Sequence, residues 1–288
     1  MKRGFGSAAL AALAIAATAA FGGSSGEAAA GALERLQNGK IKIGYREDAA
    51  PYSYKNTIGE AAGYTVDLCR AVVAQLKAEL ELPEISIAYV PVTSSNRFKA
   101  VQNGQVDLLC GAATATLARR DVVDFSIPVF IDGAAVLTKV DGPKNFSSLK
   151  GHKIGVLEAT TTESLLRDIV NKTDLQSEIV TVANHQDGRE KLEGGEISAY
   201  FSDRALLVYL AAQSSQAKSL HVGTRYFSHE PYALAMKRGD SNFRLAVDRA
   251  LSRIYRSDSI SAIFDNAFNG AKPSDILKAM YLVSALPE

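Results

Sequence analysis

The chain has 288 residues, of which 47% are hydrophobic and 22% are charged, and its formal net charge is +1. A chain of this length can bury one large core or two modest ones, and we expect two lobes. Without a lysine- or arginine-rich run, the near-neutral charge argues against a nucleic-acid partner. Two cysteines without a His-x-x-x-His spacing argue against a metal site, and no cofactor is expected.

Residues 1–30 have the composition of an export signal. Two basic residues open the segment, and residues 8–20 are apolar but fall short of the ~20 residues that a membrane-spanning helix needs. Small residues at 17–19 and at 28–30 each suit a cleavage site. We therefore expect an exported protein whose signal is removed, and an N-terminal membrane anchor is the alternative.

The chain continues as strands that alternate with helices. Residues 40–45 alternate polar and apolar side chains, which predicts a strand. A helix follows, because apolar residues recur three and four positions apart at Val66, Cys69, Val73, Leu76 and Leu80. The patterns then predict a strand, a short helix and a strand at residues 84–90, 94–103 and 106–110. Together these elements form a βαβαβ lobe.

A second series of the same kind follows. Its predicted elements are strand, helix, strand, helix, strand and helix, at residues 153–157, 162–170, 178–182, 185–193, 197–201 and 204–212. Apolar extended runs at residues 134–138 and 232–236 bracket this series, as two crossover strands between lobes would. The remaining chain is predicted to be helical and to dock back on the first lobe.

These patterns define the expected domain bounds. The first lobe comprises residues 31–137 and 237–288, and the second lobe comprises residues 138–236. Cys69 lies on the apolar face of a predicted helix and Cys110 ends a predicted strand that should pack against it. The pair forms either a disulfide in an oxidising compartment or two buried small apolar side chains, and the sequence leaves both readings open.

Guanidinium and hydroxyl groups gather around the predicted strand at residues 106–110. Arg97 lies in the preceding helix, and Thr114, Thr116 and Arg119 follow the strand. Such groups at the carboxyl ends of strands in an α/β sheet suit a small carboxylate, because arginine binds carboxylates through paired, charge-assisted hydrogen bonds. The sequence therefore predicts a binder of small anions or zwitterions.

Six strings in a fixed order carry a resemblance to a known family. They are GYREDAAPYSY (44–54), GYTVDLC (63–69), TSSNR (93–97), CGAATATLARRDVVDFSIP (110–128), ATTTE (159–163) and AYFSD (199–203). The chain resembles the family 3 extracellular solute-binding proteins of bacterial ABC importers, and among them the glutamate/aspartate-binding branch. The resemblance implies the type II periplasmic-binding-protein fold, in which two α/β lobes joined by two crossover strands hold the ligand in a cleft.

The resemblance also implies roles for eight residues. Arg119 with Thr114 matches the clamp for the α-carboxylate, and Asp203 matches the carboxylate that accepts the ligand ammonium. Arg46 and Arg97, with the Ser94 hydroxyl beside them, match the groups that bind the side-chain carboxylate. Thr160 opens a second-lobe helix, where it fits a capping box with Glu163 as well as a ligand contact, and His185 also matches a ligand residue.

Three arginines against one aspartate leave a positive surplus for a dianionic ligand, which favours glutamate or aspartate. The implied protein is a periplasmic monomer without catalytic residues that captures a polar amino acid and delivers it to a membrane permease and its ATPase. Ala112 and Leu157 depart from the branch, since hydroxyl residues can stand at both positions.

Three alternatives stay open at this point. Glutamine or another polar amino acid is the chief competitor as ligand. A few exported dehydratases use the same fold, and His185 and Glu158 are the available acid or base groups for such an enzyme. A ligand-sensing ectodomain that presents the bound amino acid to a signalling partner is the third reading.

Overall fold

The computed structural model describes residue 1 and residues 31–288, so the export signal predicted at residues 1–30 lies outside the described part of the chain. The strands are β1 (Lys40–Arg46), β2 (Asp48–Ala49), β3 (Ser53–Lys55), β4 (Ala61–Ala62), β5 (Ser86–Val92), β6 (Leu108–Cys110), β7 (Val123–Asp132), β8 (Ala134–Lys139), β9 (Lys153–Leu157), β10 (Glu178–Val182), β11 (Ala199–Asp203), β12 (Leu220–Val222) and β13 (Glu230–Lys237). The α-helices are α1 (Ala32–Gln37), α2 (Tyr64–Glu79), α3 (Arg97–Gln102), α4 (Leu117–Arg120), α5 (Thr161–Lys172), α6 (His185–Gly194), α7 (Arg204–Ala212), α8 (Ser241–Tyr255), α9 (Ser259–Ala267) and α10 (Asp275–Ser284).

Two five-stranded sheets form the centres of the two lobes. The first sheet has the order β5-β1-β6-β13-β7, and β1 pairs in parallel with both β5 and β6. The second has the order β10-β9-β11-β8-β12, and β9 pairs in parallel with β10 and β11. Parallel neighbours joined by helices are the arrangement that the alternating pattern predicted.

The chain passes between the sheets twice. It first crosses at Gly133, between β7 of the first sheet and β8 of the second, and it returns between β12 and β13. The two crossover strands predicted at residues 134–138 and 232–236 are therefore present as β8 and β13. The lobe bounds at residues 137 and 236 stay predictions, although β8 belongs to the second sheet and β13 to the first.

The two edge strands of the first sheet differ from their prediction, and the central strand β6 begins at Leu108 rather than at residue 106. β5 lies two residues later than expected, because its register is set by pairing with β1, where Lys40 faces Ser86. β7 was not predicted, since Pro128 and alternating polar residues interrupt its apolar pattern. β5 and β7 lie at the edges of the sheet, which is where strands tolerate a proline.

The carboxyl ends of the parallel strands bring polar residues to the cleft between the lobes. Arg46 is the last residue of β1, and Asp203 is the last residue of β11. Thr160 follows β9, His185 follows β10, and Thr114 follows β6. Residues that are distant in sequence therefore meet at one edge of each sheet, as ligand groups do in α/β proteins. No helix in the described residues is both long and apolar enough to span a membrane.

Cys69 on α2 and Cys110 at the end of β6 form a disulfide. Both residues are fully buried in the main core of the first lobe, together with Leu68 and Leu108. Of the two interpretations that the sequence left open, the structure therefore supports the disulfide. The bond ties the helix to the central strand that leads to Thr114.

We expect reduction of this disulfide to lower the free energy of unfolding by about 4 kcal/mol, because the closed loop of 41 residues limits the entropy of the unfolded chain. Urea unfolding with and without a thiol reductant measures the change. A Cys69→Ala, Cys110→Ala double variant is the control and should be insensitive to reductant. Equal stability of the reduced and oxidised native protein would contradict the expectation.

Candidate functional site

A small cavity between the lobes collects the predicted ligand residues. Seven of the eight line it, and Ser94 is the exception. The first lobe contributes Arg46, Arg97, Ala112, Thr114 and Arg119, and the second contributes Leu157, Thr160, Thr161, Thr162, His185, Ser202, Asp203 and Leu206. Ser94 is buried one helical turn before Arg97, and its carbonyl accepts a hydrogen bond from the Arg97 guanidinium. Ala112 and Leu157, where the family can carry hydroxyls, also line this cavity.

The two lobes touch each other around the cavity. Ser95 Oγ donates to Glu158 Oε1 over 2.8 Å, and the Arg97 guanidinium donates to the carbonyl of Ala159 over 3.3 Å. The cavity measures about 20 Å³. A single water needs about 10–15 Å³, so the cavity is too small for an amino acid in this arrangement of the lobes.

Arg97 is a buried cation without an anionic partner. Its side chain donates to the carbonyls of Ser94 and Ala159, and its Nε atom has no hydrogen-bond acceptor in the described part of the chain. Burial and then the neighbouring guanidiniums of Arg119 and Arg46 lower the pKa of Arg97 well below its usual range. Arginine nevertheless stays charged in proteins. The lowered pKa therefore indicates that burying the Arg97 cation here, without an anion beside it, costs free energy.

Arg119 is a second guanidinium without a carboxylate partner among the residues described. It is half-buried, and it donates to the carbonyl of Thr114 over 2.8 Å. The Phe98 ring supports both cations, because the Arg119 and Arg97 guanidinium carbons lie over it at 4.9 and 4.8 Å. Burial lowers the pKa of Arg119, while Glu230 and Asp203 act in the opposite direction.

Arg46 differs from the other two arginines because it already has a partner. Its Nη2 and Nε atoms lie 2.6 and 2.9 Å from Asp48 Oδ1. Burial alone would raise the pKa of Asp48, but Arg46 and His185 lower it below its ordinary value. Asp48 therefore neutralises one of the three arginines that were counted from the sequence, and the positive surplus of the site stays a prediction.

Asp203 presents one carboxylate oxygen without a partner. Its Oδ2 atom accepts a hydrogen bond from the Tyr232 hydroxyl, whereas no described residue donates to its Oδ1 atom. The side chain makes no capping bond to α7, so its position before that helix does not explain it. Burial, with Asp132 and Glu230 nearby, raises the pKa of Asp203 well above its usual range. A cationic group beside Oδ1 would favour the charged form.

Thr160 caps α5, as the alternative reading predicted. Its hydroxyl accepts from the Glu163 N–H over 3.1 Å and donates to the Leu157 carbonyl over 2.7 Å. In a capping box the Glu163 carboxylate would accept from the backbone N–H of Thr160. Here it accepts instead from the N–H of the preceding residue, Ala159. The Thr160 side chain therefore already has partners, although it lines the cavity.

His185 begins α6 and is fully enclosed. Its Nδ1 atom lies 2.9 Å from the Tyr200 hydroxyl, and its backbone N–H lies 3.4 Å from Asp48 Oδ2. Burial lowers the pKa of His185 to about 4, with Asp48 opposing this shift and Arg46 and Arg97 adding to it. The ring is therefore neutral at pH 7, and it can offer one N–H to a ligand when Tyr200 donates to Nδ1.

This shift predicts how stability depends on pH. Between pH 6.5 and about 4 the unfolded chain binds a proton on His185 that the folded chain does not, so the free energy of unfolding falls as the pH falls. The contribution of His185 to this loss is about 3 kcal/mol by pH 4. Urea unfolding at several pH values should show a shallower decline for His185→Asn. The exposed His152→Asn variant should follow the native profile, and an unchanged slope for His185→Asn would contradict the assignment.

Besides the lining residues Thr162, Ser202 and Leu206, four residues around the site were not identified from the sequence. Glu230 accepts hydrogen bonds from Thr114 and Thr161, Asp132 accepts from Tyr52, Asp48 pairs with Arg46, and Phe98 supports two arginines. Glu230 was visible only as an acid two residues before a predicted crossover strand. Asp48 stood two residues after Arg46 in one of the quoted strings, which is the one local signal for their pairing.

A larger groove lies beside the cavity. It measures about 900 Å³, and Arg46 lines both spaces. Tyr54 and Tyr209, whose ring centres lie 6.3 Å apart, form part of its wall. Arg189 Nε, a buried atom without a hydrogen bond, belongs to the groove, but it lies 3.5 Å from Glu193 Oε1. Arg97 and Asp203 line the cavity and not the groove, as do Thr114, Arg119, Thr160 and His185, so the cavity is the candidate site.

Comparisons with known proteins agree with this arrangement. The chain is 34% identical to an L-glutamate/L-aspartate-binding protein of Pseudomonas aeruginosa, over 84% of this chain and 82% of that protein. It is 30% identical to the glutamate/aspartate import solute-binding protein of Escherichia coli, over 95% of this chain and 94% of that protein. The structure of a cysteine-binding protein from Campylobacter jejuni superposes with a TM-score of 0.76 at 18% identity, covering 87% of this chain and 98% of that one. This last likeness confirms the two-lobed fold.

The family model for bacterial extracellular solute-binding proteins, family 3, matches residues 41–270. Apart from Lys40 at the start of β1, this range contains both sheets, and it contains every residue that lines the cavity. The chain belongs to the bacterial extracellular solute-binding proteins of family 3.

Proposed function

We propose that this protein captures glutamate or aspartate between its lobes, outside the cytoplasm, and delivers it to the permease and ATPase of an ABC importer. The observation that carries the proposal is the pair of guanidiniums at Arg97 and Arg119, which line one cavity without a carboxylate partner among the described residues. Holding two such cations is costly unless anions pair with them. A dicarboxylic amino acid supplies one carboxylate for each.

The ligand then has one orientation. Its α-carboxylate binds Arg119 beside Thr114, and its side-chain carboxylate binds Arg97, with Arg46 and Ser94 next to it. The unpartnered Nε atom of Arg97 and the unpartnered Oγ atom of Ser94 are the donors that remain available there. The ligand ammonium lies against Asp203 Oδ1. His185 and Thr160 complete the second-lobe wall.

Capture depends on movement of the two lobes about the two points where the chain passes between them. The ligand touches both lobes, so it stabilises the closed arrangement by its higher affinity for that arrangement. The lobes, placed at residues 31–137 with 237–288 and at residues 138–236, separate about the two crossings and close over the ligand. The closed monomer is the form that the permease recognises.

The geometry supports binding rather than turnover. Glu158, one of the two acid or base candidates, is exposed and accepts a hydrogen bond from Ser95 at the rim. His185, the other candidate, is held by Tyr200 and is neutral over the physiological range. Glutamine is the second candidate ligand, because Asp48 already neutralises Arg46 and so reduces the positive charge offered to a side chain.

A thermal-unfolding screen of the purified mature protein over the twenty amino acids tests the proposal. Glutamate and aspartate should stabilise the protein most, by about 2.7 kcal/mol when the ligand is at 100 times its dissociation constant. Isothermal titration then compares glutamate with glutamine. Stabilisation by glutamine alone would replace the proposed ligand, and conversion of an added amino acid to a product would overturn the binding function.

A further inference from the structure

Asp48 lies where the ligand cavity meets the larger groove. Arg46 lines both spaces, whereas Asp48 lines the groove alone. The start of α6 forms the opposite side, since His185 lines the cavity while Asn184 and Gln186 line the groove. The passage between the two spaces therefore runs between the Arg46–Asp48 pair of the first lobe and the start of α6 in the second.

The Asp48 carboxylate has one oxygen that is fully engaged and one that is nearly free. Its Oδ1 atom lies 2.6 and 2.9 Å from the Arg46 nitrogens. Among the described residues its Oδ2 atom meets only the backbone N–H of His185, at 3.4 Å, which is longer than an ordinary hydrogen bond. Burial acts against the charged form, but Arg46 and His185 lower the pKa of Asp48, so the carboxylate is charged at pH 7. An anionic acceptor is thus available beside the passage.

Arg97 supplies the complementary donor. Its Nε atom has no acceptor among the described residues, and Asp48 is close enough to raise its pKa against the larger effects of burial and the other arginines. A ligand carboxylate can only accept, so it would satisfy Arg97 and leave Asp48 Oδ2 without a donor. A side-chain amide has a carbonyl oxygen for Arg97 and an N–H for Asp48. Arg97 favours a carboxylate, and Asp48 adds a contact that only an amide can make.

The groove beyond Asp48 suits an uncharged group. It measures about 900 Å³, which lies within the range of ligand pockets. Tyr54 of the first lobe and Tyr209 of the second are half-buried in its wall, and such rings pack well against apolar and aromatic groups. Other charged side chains of the wall already have partners: Glu47 pairs with Lys55, Arg189 with Glu193 and Asp187 with Lys191, and Glu190 accepts from Gln186.

We propose that Asp48 is a specificity-determining residue that accepts the N–H of a side-chain amide, and that the groove takes an uncharged substituent on the amide nitrogen, so that the protein binds γ-glutamyl amides as well as free amino acids. A secondary amide keeps the one N–H and the one carbonyl oxygen that this arrangement needs. The inference rests on the proposed function, because the cavity holds the amino-acid part of the ligand in the same orientation. It gives Asp48 a role that the family resemblance did not assign.

Isothermal titration with L-glutamate, L-glutamine and the γ-ethylamide of L-glutamate tests this inference. The native protein should bind the γ-ethylamide within about 10-fold of glutamine, because the groove has room for the ethyl group. In Asp48→Asn the affinities for both amides should fall by about 10-fold relative to glutamate, because the amide N–H loses a charged acceptor. A native protein that binds glutamate but neither amide would overturn the inference.

Glu47→Gln is the matched control for Asp48→Asn. Glu47 lies between Arg46 and Asp48 in the chain and lines the same groove, but its carboxylate lies 3.2 Å from Lys55. The substitution removes one negative charge from the same wall and should keep the native ratio of glutamine to glutamate affinity. The same ratio in Asp48→Asn and Glu47→Gln would overturn the role of Asp48.

Tyr209→Leu tests the groove and leaves Asp48 in place. The γ-anilide of L-glutamate carries a ring that should meet Tyr209, so its affinity should fall by about 3- to 10-fold, the usual contribution of an aromatic pair. The affinity for glutamine should not change, because glutamine has no substituent in the groove. Equal losses for glutamine and the γ-anilide would overturn the assignment of the groove.

Failure of the proposed function has a different signature. The native protein would then bind neither glutamate nor aspartate, whereas the inference fails when these acids bind and the amides do not. Binding of the γ-amides without binding of the acids would support the role of Asp48 and replace the proposed ligand.

Discussion

Replacing Arg119 by alanine should abolish the binding of every amino acid to this protein. In the proposed binding mode Arg119 binds the α-carboxylate, which all amino acids share, so the loss should not depend on the side chain. Removing one partner of an enclosed charge pair costs about 3–5 kcal/mol, which is more than about 100-fold in affinity. Isothermal titration with glutamate, aspartate and glutamine measures the loss.

Arg120 provides the matched control. It is the next residue of α4 but is exposed, and its guanidinium lies 5.8 Å over the Phe125 ring rather than in the cavity. Arg120→Ala should leave all affinities within about 2-fold, as surface charges usually do. Tight binding of any amino acid by a folded Arg119→Ala variant would refute the clamp.

Replacing Arg97 by methionine should change the choice of ligand. The loss for glutamate should be about 3 kcal/mol or more, because its side-chain carboxylate then lacks its buried partner. Glutamine carries no charge at that position and should lose much less. The ratio of the two affinities, measured by titration, is the quantity that separates a side-chain contact from a general loss of folding.

The same variant should stabilise the protein in the absence of ligand. Arg97 is 3% exposed and pairs with no carboxylate in the described residues, so an apolar side chain of similar length removes an uncompensated charge. We expect the free energy of unfolding to rise by about 1 kcal/mol. Lys99→Met, on the exposed face of the same helix, should alter neither stability nor ligand choice. Equal losses for glutamate and glutamine would mean that Arg97 does not contact the side chain.

Elements with a regular pattern were predictable from the sequence. The strands at 153–157 and 178–182 and the helix at 204–212 have the predicted bounds, because alternation or helical spacing runs through them without interruption. β7 was missed because its pairing partner, β13, lies more than ninety positions away, and Pro128 breaks the local pattern. Its strand conformation depends on that distant partner rather than on its own residues.

The composition of the site was predictable in part. The carboxyl ends of strands placed Arg46, Thr114 and Asp203 together, as the rule for α/β sheets requires. Glu230 was not predictable, because it is separated by 116 positions from Thr114 and by 69 from Thr161, and only the packed lobes bring them together. A count of charges along a sequence cannot show which charges already have partners.

The central claim is that Arg97 and Arg119 each bind one carboxylate of the same ligand. A crystal structure of the protein with glutamate tests this most directly. We expect the α-carboxylate within about 3.2 Å of the Arg119 guanidinium and the side-chain carboxylate within about 3.2 Å of the Arg97 guanidinium. A bound glutamate whose side-chain carboxylate lies elsewhere, while Arg97 still donates only to the carbonyls of Ser94 and Ala159, would contradict it.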